Sequence, residues 1–301
     1  MAQAFEGIRI IDFTQVLAGP YGVMQLALLG AEVIKIEQPG AGDQTRGLMN
    51  DNGDAAMSPS FMTCNVNKKS ITLNLKSPEA KKIVEKLVSS ADALVENFKA
   101  GTMDRMGLGY EDLSKINPRL VYCSVTGYGQ DGPKAGAAAY DGAIQAASGM
   151  MSQTGHPETG PTRTGYMPVD MSTALNTAFS LSAALFRQQR TGKGQRLDVA
   201  MMDTAIVAQA AQYSNYINQG NLVGLLGNAS PTRQPTADVF PTQDGFLQVT
   251  ALRQPQVEKF FEALGIADLL SMPEFASPDS RMSHPNLVKE AVREAMARKT
   301  T

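Results

Sequence analysis

Ile8-Arg9-Ile10-Ile11-Asp12-Phe13, the apolar stretch 21–29 closed by Gly30, and Glu32-Val33-Ile34-Lys35-Ile36-Glu37 decide the fold. The first and third pieces are short, rich in β-branched residues and read as buried strands. The middle piece is apolar enough, and stopped by a glycine, to read as a helix after a turn at Ala18-Gly19-Pro20. Strand, helix and strand within one short span make a crossover unit, which places the two strands parallel in one sheet.

The same alternation continues outward. Residues 69–75 read as a third strand with alternating side chains. Ser77-Pro78-Glu79 supplies a cap and a first-turn proline for a helix over 80–89. Residues 92–97 and 119–125 give two more strands, with a helix near 110–116 between them. The order predicts an α/β fold with a doubly wound, largely parallel, Rossmann-like sheet. No internal repeat is visible. After Asp203 a helical linker over 204–230 leads to a smaller α+β domain over 231–301. There Asp238–Val249 reads as a hairpin with a Gln-Asp-Gly turn, followed by helices over 255–264 and 286–299.

Composition narrows the function classes. The chain has 301 residues, 43% hydrophobic and 19% charged, enough for a large α/β domain and a second smaller one. A net charge of −2 offers no general attraction to nucleic acid or to an anionic membrane, so a polyanionic ligand must be held by a few local cations. Cys64 and Cys123 have neither metal-ligand spacing nor the numbers of a disulfide framework. No signal segment and no apolar run of about 20 residues is present, so a soluble cytoplasmic protein is expected. His156 and His284 each lack a second ligand at metal spacing, and no metal is expected.

A doubly wound sheet binds its ligand at the carboxyl ends of the strands. Glu37, ending the second strand, invites a nicotinamide-binding reading. The turn Ala18-Gly19-Pro20-Tyr21-Gly22 lacks the G-x-G-x-x-G fingerprint, however, and Pro20 removes an amide that a pyrophosphate needs. No nucleophile elbow or phosphate-binding P-loop appears either, which leaves carboxylates, hydroxyls and backbone amides for any chemistry. Asp170 stands out among them. It follows a Gly/Pro/Thr-rich approach from Gly160 to Val169 and heads a long helical pattern in which Leu175, Ala178, Phe179, Ser182, Leu185 and Phe186 share one face. The unpaired N–H groups of that helix start are expected to keep the Asp170 carboxylate ionised, as an acidic nucleophile requires.

The segments from Ile11 to Pro20 and from Leu28 to Glu37, together with Asn67-Lys68-Lys69-Ser70-Ile71, Val95-Glu96-Asn97-Phe98, Arg105-Met106-Gly107 and Thr191-Gly192-Lys193-Gly194-Gln195, resemble the family III (CaiB/BaiF-type) CoA-transferases. The resemblance runs from about Gly7 to Asp203. It implies that Asp170 attacks an acyl-CoA thioester, giving an aspartyl–acyl anhydride and CoA thiolate, and that an acceptor acid then takes up the CoA through covalent enzyme intermediates. Coenzyme A would thus be a substrate and no tightly bound cofactor is implied. By the same resemblance Val16, Leu17 and Ala18 line the nucleotide site, with Gln38 at a position where many members carry arginine. Leu73, Asn74, Leu75 and Lys76 lie along it with Asn97, Phe98 and Lys99, and Arg105, beside Met106, is the phosphate partner, a role suited to a planar guanidinium. Gln15 and Tyr140 are expected on the substrate side.

Tyr140-Asp141 separates this chain from the related α-methylacyl-CoA racemases, which carry a His-Asp pair here for proton transfer; a tyrosine is a poor base near neutral pH. A racemase-like proton-transfer enzyme and a non-catalytic acyl-CoA-binding protein are the alternatives. Residues 136–139 bring no lysine before Tyr140, and the glycine-rich mobile loop of formyl-CoA transferases has its nearest candidate in Gly224–Ala229, so formyl transfer is not expected. In family members a further C-terminal segment returns to the first domain and two subunits interlock; with Lys299-Thr300-Thr301 last, that return segment is expected to be missing, and the interlocked homodimer depends on it.

Overall fold

The computed structural model describes residues 3–48 and 57–301. In chain order its strands are β1 (Arg9–Asp12), β2 (Glu32–Glu37), β3 (Lys68–Thr72), β4 (Ala93–Glu96), β5 (Val121–Thr126), β6 (Gly155–His156), β7 (Gly160–Pro161), β8 (Gln195–Ala200), β9 (Val239–Pro241) and β10 (Phe246–Gln248). The α-helices are α1 (Ala18–Leu28), α2 (Pro59–Asn65), α3 (Pro78–Val88), α4 (Thr102–Arg105), α5 (Tyr110–Ile116), α6 (Asp141–Ala147), α7 (Pro168–Thr191), α8 (Met201–Ala208), α9 (Ala210–Gln219), α10 (Gln254–Leu264), α11 (Pro278–Ser283) and α12 (Pro285–Met296). The chain forms two compact units, 1–150 with 163–222, and 151–162 with 223–301.

The first unit is a six-stranded parallel sheet in the order β3-β2-β1-β4-β5-β8. From β1 the chain winds one way to β2 and β3, then returns to place β4 on the other side of β1. The crevice between β1 and β4 is therefore the switch point where such sheets receive ligands. Side chains alternate between two apolar layers. Ile10, Val33, Ala93, Val95, Val121 and Cys123 pack under α1 and α7, while Ile11, Leu94, Leu120 and Tyr122 pack under α3 and α5. The second unit has its own core, built from Phe240, Val257, Phe261, Phe275, Val288 and Val292. Its β9–β10 ribbon is antiparallel, with Leu247 opposite Phe240, and the turn between them holds the expected Gln-Asp-Gly.

Several local expectations change. The turn read at Ala18-Gly19-Pro20 is the first turn of α1; Pro20 is tolerated because the first N–H groups of a helix have no intrahelical partner. The third strand does not alternate: Lys69, Ser70, Ile71 and Thr72 are all exposed on the sheet edge. The stretch 204–230 is helical as far as Gln219, and the boundary between the units falls after Leu222. The sixth strand, β8, escaped the sequence reading because polar Gln195, Arg196 and Asp198 interrupt its apolar pattern, although Leu197 and Val199 reach the core.

Helix α7 packs closely along α1, and Gly22 makes the approach possible. A Cβ at Gly22 would stand 2.7 Å from the Ala174 carbonyl oxygen and 3.0 Å from Thr177 Cβ. Backbone cannot yield there as a flexible side chain does, so added volume must push the helices apart.

Buried ion pairs secure the loops that follow β1 and β2. Lys68 pairs with Asp12 at 2.8 Å and donates to the Pro20 carbonyl, while Lys35 pairs with Asp43 at 3.0 Å and donates to the Thr14 carbonyl. All four side chains are essentially inaccessible. Burial works to raise the Asp12 pKa, but Lys68 and Lys35 overcome it and hold the carboxyl below its ordinary range. Glu37 accepts both arms of Arg46 at 2.7 Å, with further donors from the Asp43 backbone and the Ser70 hydroxyl. Against the opposing effect of burial, these bonds bring its pKa from 4.5 to about 2. Glu37 is thus committed to the scaffold, which agrees with setting aside a ribose-binding role.

Two outcomes follow. Gly22→Ala is expected to cost about 1–3 kcal/mol in urea denaturation; an unchanged midpoint would show that the helix contact is loose. The Glu37 contribution is full above pH 4.5 and is lost as the pH falls toward about 2, so the acid limb of wild-type stability should be steeper than that of Glu37→Gln by no more than about 3 kcal/mol. Parallel limbs across that window would contradict the assignment.

Candidate active site

An open cleft of ≈ 360 Å³ lies at the switch point, walled by the loops after β1, β4 and β5 and by the starts of α1, α7 and α8. Gln15, Val16, Leu17, Ala18, Asn97, Phe98, Lys99, Tyr140 and Asp170 all line it, so nine of the expected site residues converge there. The Gln15 backbone N–H donates to Asn97 Oδ1 at 2.9 Å, and Asn97 Nδ2 donates back to the Gln15 carbonyl at 2.8 Å. This reciprocal pair ties the loops on either side of the switch point. Glu96, immediately before Asn97, is buried and its pKa is pushed up to about 7 by that burial. Its carboxyl receives the Phe98 N–H at 2.9 Å. Val16 adopts φ 72°, a conformation β-branched residues avoid, and such strain persists where surrounding structure enforces it.

The other expected residues do not line the cleft. Gln38, Asn74, Lys76 and Arg105 are exposed around the ends of β2, β3 and β4, and Arg105 donates to Thr102 Oγ1 at 2.9 Å. Leu73, Leu75 and Met106 are partly buried and pack against the core on the α3 side. Phe98 does both, touching that core and lining the cleft. Tyr140 is 70% exposed, so its ring is not a packing element and its hydroxyl is free to meet a ligand. Among the described residues no group of three or more His, Cys, Asp or Glu could hold a metal ion.

Asp170 is the third residue of α7 and half-buried. The expected source of its stabilisation is taken by another residue. Asp141, at the start of α6, accepts the backbone N–H of Val169 at 2.8 Å and of Asp170 at 3.0 Å. It is buried and is held in turn by Gln145 Nε2, whose Oε1 receives the Thr164 N–H at 3.2 Å. Among the described residues the Asp170 carboxylate itself has no donor. Burial, and then the neighbouring Asp141 charge, push its pKa up from 3.8 to about 6, so the helix start is not what keeps it ionised. At neutral pH about nine in ten molecules still carry the carboxylate. Asp141 was missed as a site residue. The signal available was the helix itself: a 24-residue helix opening on Met167-Pro168 has no capping side chain of its own, which leaves its first N–H groups to a partner from elsewhere.

Comparison with known proteins agrees with the geometry. The model of CoA-transferase family III matches residues 5–301. The succinate–glutarate CoA-transferase of Agrobacterium fabrum is 38% identical over 95% of this chain and 73% of its own length. The acetyl-CoA:oxalate CoA-transferase of Acetobacter aceti is 38% identical over 98% and 75%, and the mouse succinyl-CoA:glutarate CoA-transferase 39% identical over 88% and 60%. The chain therefore spans between 60% and 75% of the length of these relatives. A crystal structure of a CaiB/BaiF family protein from Brucella suis superimposes with a TM-score of 0.91 at 34% identity, covering 100% of this chain and 80% of that one. Its strand-end cleft, its sheet and these matches lead to one conclusion: the chain belongs to CoA-transferase family III.

Proposed function

We propose that this protein moves coenzyme A from an acyl-CoA donor to a carboxylic acid through covalent intermediates on Asp170. The observation that carries the reading is the Asp170 carboxylate, facing the switch-point cleft with no donor among the described residues. An Asp170 oxygen bonds to the thioester carbon as the C–S bond breaks, giving an aspartyl–acyl anhydride and CoA thiolate. Return of the thiolate to the aspartyl carbon frees the donor acid and leaves an aspartyl–CoA thioester. The acceptor carboxylate attacks that carbon and expels the thiolate, which then attacks the acceptor's acyl carbon and releases Asp170. Each bond broken is replaced by one of similar reactivity, so no ATP is needed.

In this reading the lip formed by Val16, Leu17 and Ala18 receives the nucleotide, and Asn97, Phe98 and Lys99 follow the pantetheine arm. Arg105, Lys76 and the Gln38, Leu73–Leu75 and Met106 surroundings serve the distal part of the ligand. Gln15 and Tyr140 flank the reacting carbon, with Tyr140 donating to a developing oxyanion. The named relatives act on succinate, glutarate, oxalate and acetyl groups, and the acid pair here is taken to be of that small class. Leu175, Phe179 and Phe186, exposed along one side of α7, suit burial against a second subunit in a homodimer.

Exchange of isotopically labelled carboxylic acid into acyl-CoA tests the proposal. Asp170→Ala should lower the exchange rate by about 10³-fold or more, as removal of a covalent nucleophile does; an exchange rate matching wild type would overturn it. Because the carboxylate is the reactive form and its pKa lies near 6, wild-type kcat/KM should fall roughly tenfold per pH unit below that point. A flat profile down to pH 4.5, about a unit and a half lower, would place the chemistry on another group.

A further inference from the structure

The arrangement around the start of α7 carries more than a helix cap. A helix normally stabilises an acid in its first turn by its free N–H groups and its dipole. Here the N–H groups of Val169 and Asp170 both point to Asp141, which comes from α6 and is 5% exposed. Met167, at the cap position, offers no side-chain bond. Asp141 is itself fixed by Gln145, and Gln145 holds the 163–167 approach through both the N–H and the hydroxyl of Thr164. The residue that anchors the nucleophile's backbone therefore also brings a like charge to its side chain.

We propose that Asp141 is a positioning residue for the nucleophile: by taking the two N–H groups at the start of α7 it fixes the Asp170 backbone, and it keeps those two donors from the Asp170 carboxylate and places a second negative charge beside it, which makes it a stronger attacking group. The inference rests on the reading of Asp170 as nucleophile. Other titratable groups near Asp170 are Tyr140 and Lys99, which line the same cleft, and Cys64 on α2, whose own pKa burial pushes up to about 11 and which is therefore neutral. The elements packed on α7 contribute Tyr21 from α1, Asp203 from α8, Tyr122 and Cys123 from β5, and Arg196 and Asp198 from β8. Of all these, Asp141 is the charge that acts on the Asp170 carboxyl. A carboxylate that loses hydrogen-bond donors and gains a like-charged neighbour becomes more basic, and a more basic oxygen attacks an acyl carbon faster.

The test uses Asp141→Asn, which keeps one acceptor oxygen and removes the charge, with Asp141→Ser as a smaller uncharged acceptor should the amide not fit. In the acylation arm, the acid limb of the rate of adduct formation is expected to move down by about one pH unit, with KM for acyl-CoA changed less than about threefold and Asp141→Glu keeping the wild-type limb. A limb that stays in place while the rate simply drops would overturn the inference, since a purely structural cap predicts that result. The second arm needs no turnover. Asp170→Asn should raise the urea midpoint near pH 7.5 relative to about pH 4 in the wild-type background, because it removes a charge held at a raised pKa, and this gain should shrink measurably, by up to about half, in the Asp141→Asn background, the remainder coming from burial. An equal gain in both backgrounds would overturn the inference. If no protein is ever acylated, the transferase reading falls while the stability cycle still decides the role of Asp141.

Discussion

The lip of the cleft depends on two buried lysines. Lys68 reaches from the edge strand to Asp12 and the Pro20 carbonyl, and Lys35 reaches from β2 to Asp43 and the Thr14 carbonyl. Between them they grip both ends of residues 12–20, the segment that carries Gln15, Val16, Leu17 and Ala18. Removing one partner of such a pair costs about 3–5 kcal/mol because the other charge is stranded out of water. That is more than the roughly 1–3 kcal/mol of strain that a residue such as Val16 stores at positive φ. The scaffold can therefore impose the conformation, and the lip stays open to the cleft instead of relaxing into an ordinary turn.

Much of this was legible in the sequence. Parallel strands and their order of appearance follow from apolar runs such as Ile8–Phe13 and from the Ser77-Pro78 helix start, both of which encode structure locally. Asp170 and the convergence of Gln15, Asn97 and Phe98 were reachable through motif and topology together. The edge character of β3 was hidden because Ile71 looks like a core residue when its neighbours in space are unknown. β8 was hidden because half its residues are polar. The Lys68–Asp12 pair and the capping of α7 by Asp141 were hidden for a common reason: they join positions 56 and 29 residues apart, and no local pattern encodes a partner at that distance.

Asp170 shows how a local rule can give the wrong sign. The first turn of a helix favours a carboxylate by up to about 1 kcal/mol when its N–H groups are free. Here another carboxylate has taken them, and burial first, then the charge of that neighbour, moves the pKa up and not down. The shift remains small enough to keep most of the group ionised near neutrality. Tyr140, directly before Asp141 in the chain, faces the same cleft from the start of α6. A single junction thus holds the backbone of Asp170 and presents the Tyr140 side chain to the same cleft.

The central claim is that Asp170 becomes acylated during turnover. It is tested most directly by letting the enzyme turn over a carboxylic acid carrying heavy oxygen in its carboxylate, then mapping peptides by mass. The account predicts that heavy oxygen enters the peptide containing Asp170, because the bridging oxygen of the acceptor anhydride leaves with the aspartate when the thiolate attacks the acyl carbon. Label found in the product thioester and the free acid, with the Asp170 peptide unchanged after many turnovers, would contradict it.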